Sequence, residues 1–364
     1  MNERRPRVAI LAVGLFTRVS AKTAIGALRY APYRVVAIID PDRAGTDAAA
    51  HVGVGAGVPV VATVAEAVGH GADTILIGTA SAGGRIADRY RPFLGEALRR
   101  GIEVWNGLHE RVLDDPALAE AARAGGARVR ELREPPKDLP IGGHRSPRAG
   151  ASVVLTVGTD AAVGKMTASL EIAAALRRAG ETAAFVATGQ TGIAIAGKGI
   201  SVDAVVADFI AGATEQMVCE VADEADWVIV EGQGSLTHPG FSGVTMGLLH
   251  GAAPDIMVLC HDAARHVMKG YDAEGLPLRS LRECVAIYED AAAWRHRPER
   301  PRARVAAVAL NTALLDAAAA RAAVERAAAE TGLPAADPIR EGAAGADRLA
   351  RALIDARRGA AVTR

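Results

Sequence analysis

The chain has 364 residues with 42 basic and 42 acidic side chains, and half of all residues are hydrophobic. That length accommodates two domains with separate cores, and a formal net charge of zero without a basic stripe excludes a nucleic-acid surface. No apolar run reaches the roughly 18 residues of a membrane helix, and the cysteines, Cys219, Cys260 and Cys284, lack metal-ligand spacing. A reduced, cytoplasmic protein with no membrane partner and no metal site is expected, and the apolar composition favours a homo-oligomer.

The first half alternates strands with helices. Arg7 to Val13 reads as a strand rather than a leader, followed by a helix from about Ser20 to Tyr30 with Ser20 as its N-cap. Arg34 to Ile39, Val58 to Val61, Thr74 to Ile77 and Ile102 to Trp105 are further strands, the last preceded by a helix over Ile86 to Arg100. This spacing predicts an open parallel sheet of the Rossmann kind over residues 1–134. The dinucleotide fingerprint G-x-G-x-x-G is absent after the first strand, where the chain reads Gly14-Leu15-Phe16-Thr17-Arg18. Asp40 stands where a ribose-binding acid would, but an Asp before Pro is equally a turn former. Ligands of such sheets gather at the carboxyl ends of strands, which directs attention to Gly78-Thr79-Ala80-Ser81 and to Asn106-Gly107-Leu108-His109, although Asn106 and His109 read rather as turn and surface residues.

Residues 135–150 are rich in proline, glycine and cations, and read either as a linker or as an active-site flap. A second domain then runs over residues 151–364. It opens with a buried strand, Ser152 to Val157, the loop Gly158-Thr159-Asp160-Ala161-Ala162-Val163-Gly164-Lys165-Met166-Thr167, and a helix closed by Gly180. Strand, glycine-bounded loop, Gly-Lys and helix make a phosphate cradle, in which backbone N–H groups face an anion and the lysine adds a point charge. Two departures separate it from a hydrolase loop. Five residues rather than four lie between Gly158 and Gly164, and Met166 stands where a Ser or Thr hydroxyl would hold Mg²⁺, with Thr167 one place late. Such a cradle can bind a polyphosphate without cleaving it.

Ala183 to Val186 is the next strand, ending in Ala187-Thr188-Gly189-Gln190-Thr191-Gly192, a polar, glycine-rich strand end. Lysine occurs only at positions 22, 137, 165, 198 and 269 in this arginine-rich chain, which singles out Lys198 after Lys165. Asp203 and Asp208 bracket an apolar turn. Trp227 to Val230 is a strand ending in Glu231-Gly232-Gln233-Gly234, where a Walker B acid would stand, and the loop through Ser235, His238 and Gly243 is polar. Asp255 to Cys260 leads to His261, Asp262, Arg265 and His266, and Val305 to Leu310 leads to Asn311, whose amide suits an adenine edge or caps a helix. Helices over Asp316 to Glu330 and Gly345 to Arg357 complete the domain.

The segments Gly158 to Lys165, Glu231 to Gly234 and Ala309-Leu310-Asn311-Thr312 resemble dethiobiotin synthetase, a P-loop enzyme that uses ATP and Mg²⁺, over the C-terminal half only, with Met166 departing from it. A closer resemblance covers almost the whole chain. Gly164-Lys165-Met166-Thr167, Glu231 to Leu236, His238-Pro239, Leu259-Cys260-His261 and Leu310-Asn311-Thr312 are similar to a two-domain family long catalogued as a domain of unknown function, Rossmann-like in its N-terminal half and P-loop NTPase-like in its C-terminal half. Met166 belongs to that pattern. The resemblance implies an N-acetyltransferase acting with acetyl-CoA on a D-amino acid, D-glutamate foremost.

On that reading Gly158, Thr159, Asp160, Val163, Gly164, Lys165, Met166 and Thr167 hold phosphate and Asn311 reads adenine. Asp208, Glu231 and His261 are the candidate bases, and Lys198, Gln233, His238 and Arg265 the candidate partners of a dicarboxylate substrate. The alternatives are an ATP- and Mg²⁺-dependent synthetase in which Glu231 and Thr167 share the metal, or a nucleotide-binding protein without turnover.

Overall fold

The computed structural model describes residues 5–79, 84–295 and 302–362; Ala80 and Ser81, singled out above, lie outside them. The chain divides into two compact units, one comprising Met1–Glu134 with Gln190–Ser201, the other Pro135–Gly189 with Val202–Arg364.

The first unit contains strands β1 (Arg7–Leu11), β2 (Arg34–Ile39), β3 (Val60–Val61), β4 (Thr74–Ile77), β5 (Glu103–Asn106) and β6 (Val129–Glu131), with helices α1 (Lys22–Tyr30), α2 (Ala48–Val52), α3 (Val64–Gly69), α4 (Arg91–Arg99) and α5 (Pro116–Gly125) between them. The strands of its sheet pair in parallel, in the order β3-β2-β1-β4-β5-β6. This is the Rossmann order, with its switch point between β1 and β4. Val8, Ala9, Ile10 and Leu11 are fully buried, as a strand covered on both faces requires.

Local chemistry sets the ends. Pro116 opens α5 behind Asp115, whose carboxylate accepts from the N–H groups of Ala117 and Leu118. Helix α1 departs from expectation, because it begins at Lys22 behind Ala21 without a side-chain cap, while Ser20 donates its N–H to Thr17 Oγ1.

The second unit contains β7 (Ser152–Gly158), α6 (Lys165–Arg178) and β8 (Ala183–Val186); α7 (Gln190–Ala196) follows in the chain and packs with the first unit. Then come α8 (Ala207–Ala222), β9 (Trp227–Val230), α9 (Ser242–Ala252), β10 (Ile256–Asp262), α10 (Leu281–Ala293), β11 (Arg304–Asn311), α11 (Ala317–Thr331), β12 (Ala335–Ala336) and α12 (Ala343–Val362). The sheet is again parallel, ordered β12-β11-β10-β7-β9-β8, so β7 lies between β9 and β10. Every residue of β7 is buried, and the phosphate loop leaves from its carboxyl end.

The proline-rich stretch lies along α8. Glu215 Oε1 accepts from Gly143 N and Arg145 Nε at 3.1 and 3.0 Å, and Arg295 binds Oε2 at 2.7 Å. The carbonyl of Pro140 rests on Gly212, where an added Cβ would come within 1.8 Å of it.

Candidate active site

Three strand ends meet in the second unit, those of β7, β9 and β10. The loop after β7 turns through Ala162 in a left-handed conformation (φ 57°) and through Gly164 (φ 109°), and α6 starts at Lys165 itself. Gly158 keeps the loop uncrowded, since a Cβ there would lie 2.9 Å from Lys165 Nζ and 3.0 Å from both Asp160 O and Val163 Cγ2. Lys165 is 6% exposed and folds back to donate from Nζ to the Asp160 carbonyl at 2.9 Å. Burial lowers its pKa to about 8, against the pull of Cys260, Asp160 and Glu231 nearby. Met166 and Thr167 follow in the first turn of α6, both half-buried. Thr159 and Asp160 are fully buried.

Glu231, 4% exposed, follows the last residue of β9. Its Oε2 accepts from the N–H groups of Thr188 and Gly189 at 3.0 and 3.2 Å, while Thr188 Oγ1 donates to the Glu231 carbonyl at 2.6 Å. Oε1 has no hydrogen bond among the described residues. Burial raises the carboxyl pKa to about 7, although the two N–H groups and Lys165 pull it down. Gly232 approaches β7 so closely that a Cβ would sit 1.7 Å from Thr156 O and 3.0 Å from Lys165 Cδ. Its N–H is given to Thr156 Oγ1 at 2.9 Å. Gln233 reaches Thr188 Oγ1 at 3.3 Å through Nε2.

His261, at the end of β10, sets Nδ1 3.0 Å from Thr159 Oγ1 and so touches the phosphate loop directly. Burial lowers its pKa below the usual histidine value, which favours a neutral ring. Nε2 has no partner among the described residues.

Other candidates are held differently. His238 is buried, and both its nitrogens are engaged. Nδ1 accepts from Gly240 N at 3.1 Å and Nε2 lies 3.0 Å from the Lys269 carbonyl, so the ring is a strut of its loop. Arg265 Nη1 donates to Asp160 Oδ2 at 3.0 Å and to the Ala161 carbonyl at 2.6 Å. Asp208 is exposed in the first turn of α8, and Lys198 is exposed in the segment that packs with the first unit. Asn311 lies beside the loop, its Cβ 3.8 Å from the position a Gly164 Cβ would take, with Oδ1 accepting from Ala313 N at 3.1 Å.

Sequence reasoning missed two supports. Tyr288, buried on α10, donates its hydroxyl to Gly158 O at 2.8 Å and accepts from Leu236 N at 3.1 Å. Burial pushes that hydroxyl's pKa up to about 12, so it stays protonated. The second is the pair of N–H groups at Thr188 and Gly189, where only the glycine hinted at a close approach: a Cβ at Gly189 would lie 2.5 Å from Gln233 Nε2.

In the first unit the strand ends are filled from within. Asp40 is fully buried, with Oδ1 accepting from Gly14 N at 2.9 Å and Oδ2 paired with Arg43 at 2.8 Å. Asn106 donates from Nδ2 to Glu110 O (2.8 Å) and Glu131 Oε2 (2.7 Å) and accepts from Leu108 N (3.0 Å), while His109 is exposed.

Comparison with known proteins agrees with this layout. Residues 140–349 match a family described as a domain of unknown function, the DUF1611 C-terminal P-loop domain, and residues 41–135 match the DUF1611 N-terminal Rossmann-like domain. A protein of Tritonibacter scottomollicae named D-glutamate N-acetyltransferase is 38% identical over 282 residues, 77% of this chain and 82% of that protein. One of the same name from Pseudoalteromonas sp is 35% identical over 281 residues, again 77% and 82%. The crystal structure of a DUF1611 family protein from Anabaena variabilis matches with a TM-score of 0.88 at 38% identity, covering 96% of this chain and 100% of that one.

Proposed function

The chain belongs to the DUF1611 family, and from that premise we propose that it transfers the acetyl group of acetyl-CoA to the amino group of a D-amino acid, D-glutamate foremost. The observation that carries the reading is the composition of the cradle. It offers N–H groups and a buried lysine to a polyphosphate, puts Met166 where a metal-holding hydroxyl would be, and sets a carboxyl with a pKa of about 7 beside them. Coenzyme A presents phosphates that take no part in the reaction, which suits a loop built to hold and not to cleave.

In this mechanism the loop and Lys165 bind phosphate, and Asn311 offers Nδ2 and a spare lone pair on Oδ1 to the adenine. The substrate ammonium gives up a proton to a base and its nitrogen bonds to the acetyl carbon; the carbon–sulfur bond then breaks, and the second proton lost by the nitrogen goes to the departing thiolate to release the thiol. Glu231 and His261 are the proton acceptors that interact with the cradle's own residues, Glu231 with Lys165 and His261 with Thr159. Glu231 has one oxygen fixed by two N–H groups and the other open, the arrangement of an oriented base.

The test is thiol release from acetyl-CoA with D- and L-amino acids in the presence of EDTA. Release with D-glutamate and not with L-glutamate is expected. Mg²⁺-dependent ATP consumption without thiol release would overturn the proposal in favour of a synthetase.

A further inference from the structure

The segment after β10 does more than connect it to α10. We infer that this strap, Asp262 to Tyr271, fixes the shape of the phosphate loop, and that Arg265 is its positioning residue. The inference deepens the acetyl-transfer reading and rests on it for the choice of ligand, but its geometry stands alone.

Asp160 is a fully buried carboxylate within the loop. Oδ1 accepts from Ala161 N at 2.6 Å, and Oδ2 accepts from Arg265 Nη1 at 3.0 Å and Lys269 N at 2.8 Å. Arg265 Nη1 also reaches the Ala161 carbonyl at 2.6 Å. The strap therefore grips the loop by a side chain at one residue and by the main chain at the next.

The grip falls just before the position that needs it. Ala162 is left-handed (φ 57°), a conformation an alanine keeps only when its surroundings impose it. Lys165 rests on the Asp160 carbonyl, so the place of the ammonium depends on the same residue.

The strap is itself braced. Met268 N donates to Leu276 O at 2.8 Å and Leu278 N to His266 O at 3.1 Å, closing it into a short antiparallel turn. His238, 3.0 Å from the Lys269 carbonyl, joins it to the loop after β9, and Thr237 Oγ1 of that loop donates to Thr159 O at 3.4 Å. This explains why Arg265 is placed as it is. Read from sequence as a cation for the substrate's carboxylate, it pairs with the loop's own Asp160 at 3.0 Å and with Asp262 at 3.5 Å.

The experiment compares wild type with Arg265→Met and Arg265→Lys. Hydrogen exchange of the ligand-free protein reads the loop directly. In Arg265→Met, amides 159–165 are expected to exchange at least about tenfold faster than in wild type, with β9 unchanged, given the worth of a hydrogen bond to a charged group. Calorimetry with coenzyme A is expected to show the dissociation constant raised about ten- to hundredfold and partly restored in Arg265→Lys, which keeps a charge for Asp160 but not the second bond to Ala161. At saturating acetyl-CoA, kcat is expected to stay close to wild type, a split between KM and kcat that general loosening of the fold does not produce. Wild-type exchange in the loop of Arg265→Met would overturn the inference. Faster loop exchange in a protein whose wild type binds no coenzyme A would uphold the clamp and remove the acetyl-transfer reading instead.

Discussion

Both sheets are parallel and six-stranded, and in each an acid follows a strand adjacent to the central one, Asp40 after β2 in the first unit and Glu231 after β9 in the second. The two carboxylates are spent differently. Asp40 gives one oxygen to Gly14 N–H and the other to Arg43, stapling two strand ends together. Glu231 commits Oε2 to two N–H groups and leaves Oε1 without a hydrogen bond among the described residues. It also carries a pKa of about 7 next to a buried lysine. A buried polar group with all its capacity used stabilises; one with capacity left over, at a desolvation cost the fold tolerates, marks a site for chemistry.

The comparison breaks most visibly at Glu231. Glu231→Gln keeps the shape and loses the base, so kcat is expected to fall roughly a hundred- to ten-thousandfold. In wild type, kcat/KM should rise with pH through about 7, as the carboxyl of the free protein ionises, and the variant should lose that rise. Glu231 lies where it feels the charge of Lys165, whereas a thioester lies a whole pantetheine arm from the phosphates. A base role therefore requires the arm to fold back toward the strand ends. If Glu231→Gln raises KM for acetyl-CoA and spares kcat, Glu231 tunes Lys165 and His261 becomes the base. Lys165→Ala comes next, with KM for acetyl-CoA raised about ten- to hundredfold through the loss of charge-assisted bonds to phosphate. Unchanged kinetics would refute the cradle assignment.

Much of this was readable in the chain, and the limits have physical causes. The parallel strands announced themselves as short apolar runs, and Gly158 to Lys165 as a cradle, because both patterns are local in sequence. Residues 187–192, read as a strand end, instead run into helix α7 at Gln190, whose partners lie in the other half of the chain. Helix α8 has no local signature, since Asp203 and Asp208 read as the flanks of a turn, whereas Asp208 lies in the helix's first turn. His238 and Arg265 were recognised as residues that matter, but their roles turn on Lys269 and Asp160, distant in sequence, and no local pattern distinguishes a strut from a ligand.

A smaller effect tests the first unit's half of the comparison. Asp40→Ala removes the acceptor from Gly14 N–H and the partner from Arg43, at a cost of about 1–3 kcal/mol. Hydrogen exchange at β1 and β2 should accelerate accordingly, while KM for acetyl-CoA holds. A change in KM without faster exchange would mean that Asp40 binds ligand and that the contrast between the two acids is wrong.

The smallest change is the uptake of at most one proton, and it isolates the buried lysine of the site. Burial puts the Lys165 pKa at about 8 in the ligand-free protein, and a bound polyphosphate raises it by favouring the charged form. Below about 8 the lysine is already protonated and binding moves no proton; above it, binding takes one up until the raised pKa is passed. Affinity for coenzyme A should therefore fall as pH climbs above about 8, by at most about tenfold per pH unit. Calorimetry at pH 9 in two buffers of different ionisation enthalpy reads the uptake, which should approach about one proton in wild type and vanish in Lys165→Met. Glu231, with a pKa of about 7, is already ionised in the ligand-free protein at that pH. Identical heats in the two buffers for wild type would mean that the anion does not sit on Lys165, however well the loop resembles a cradle.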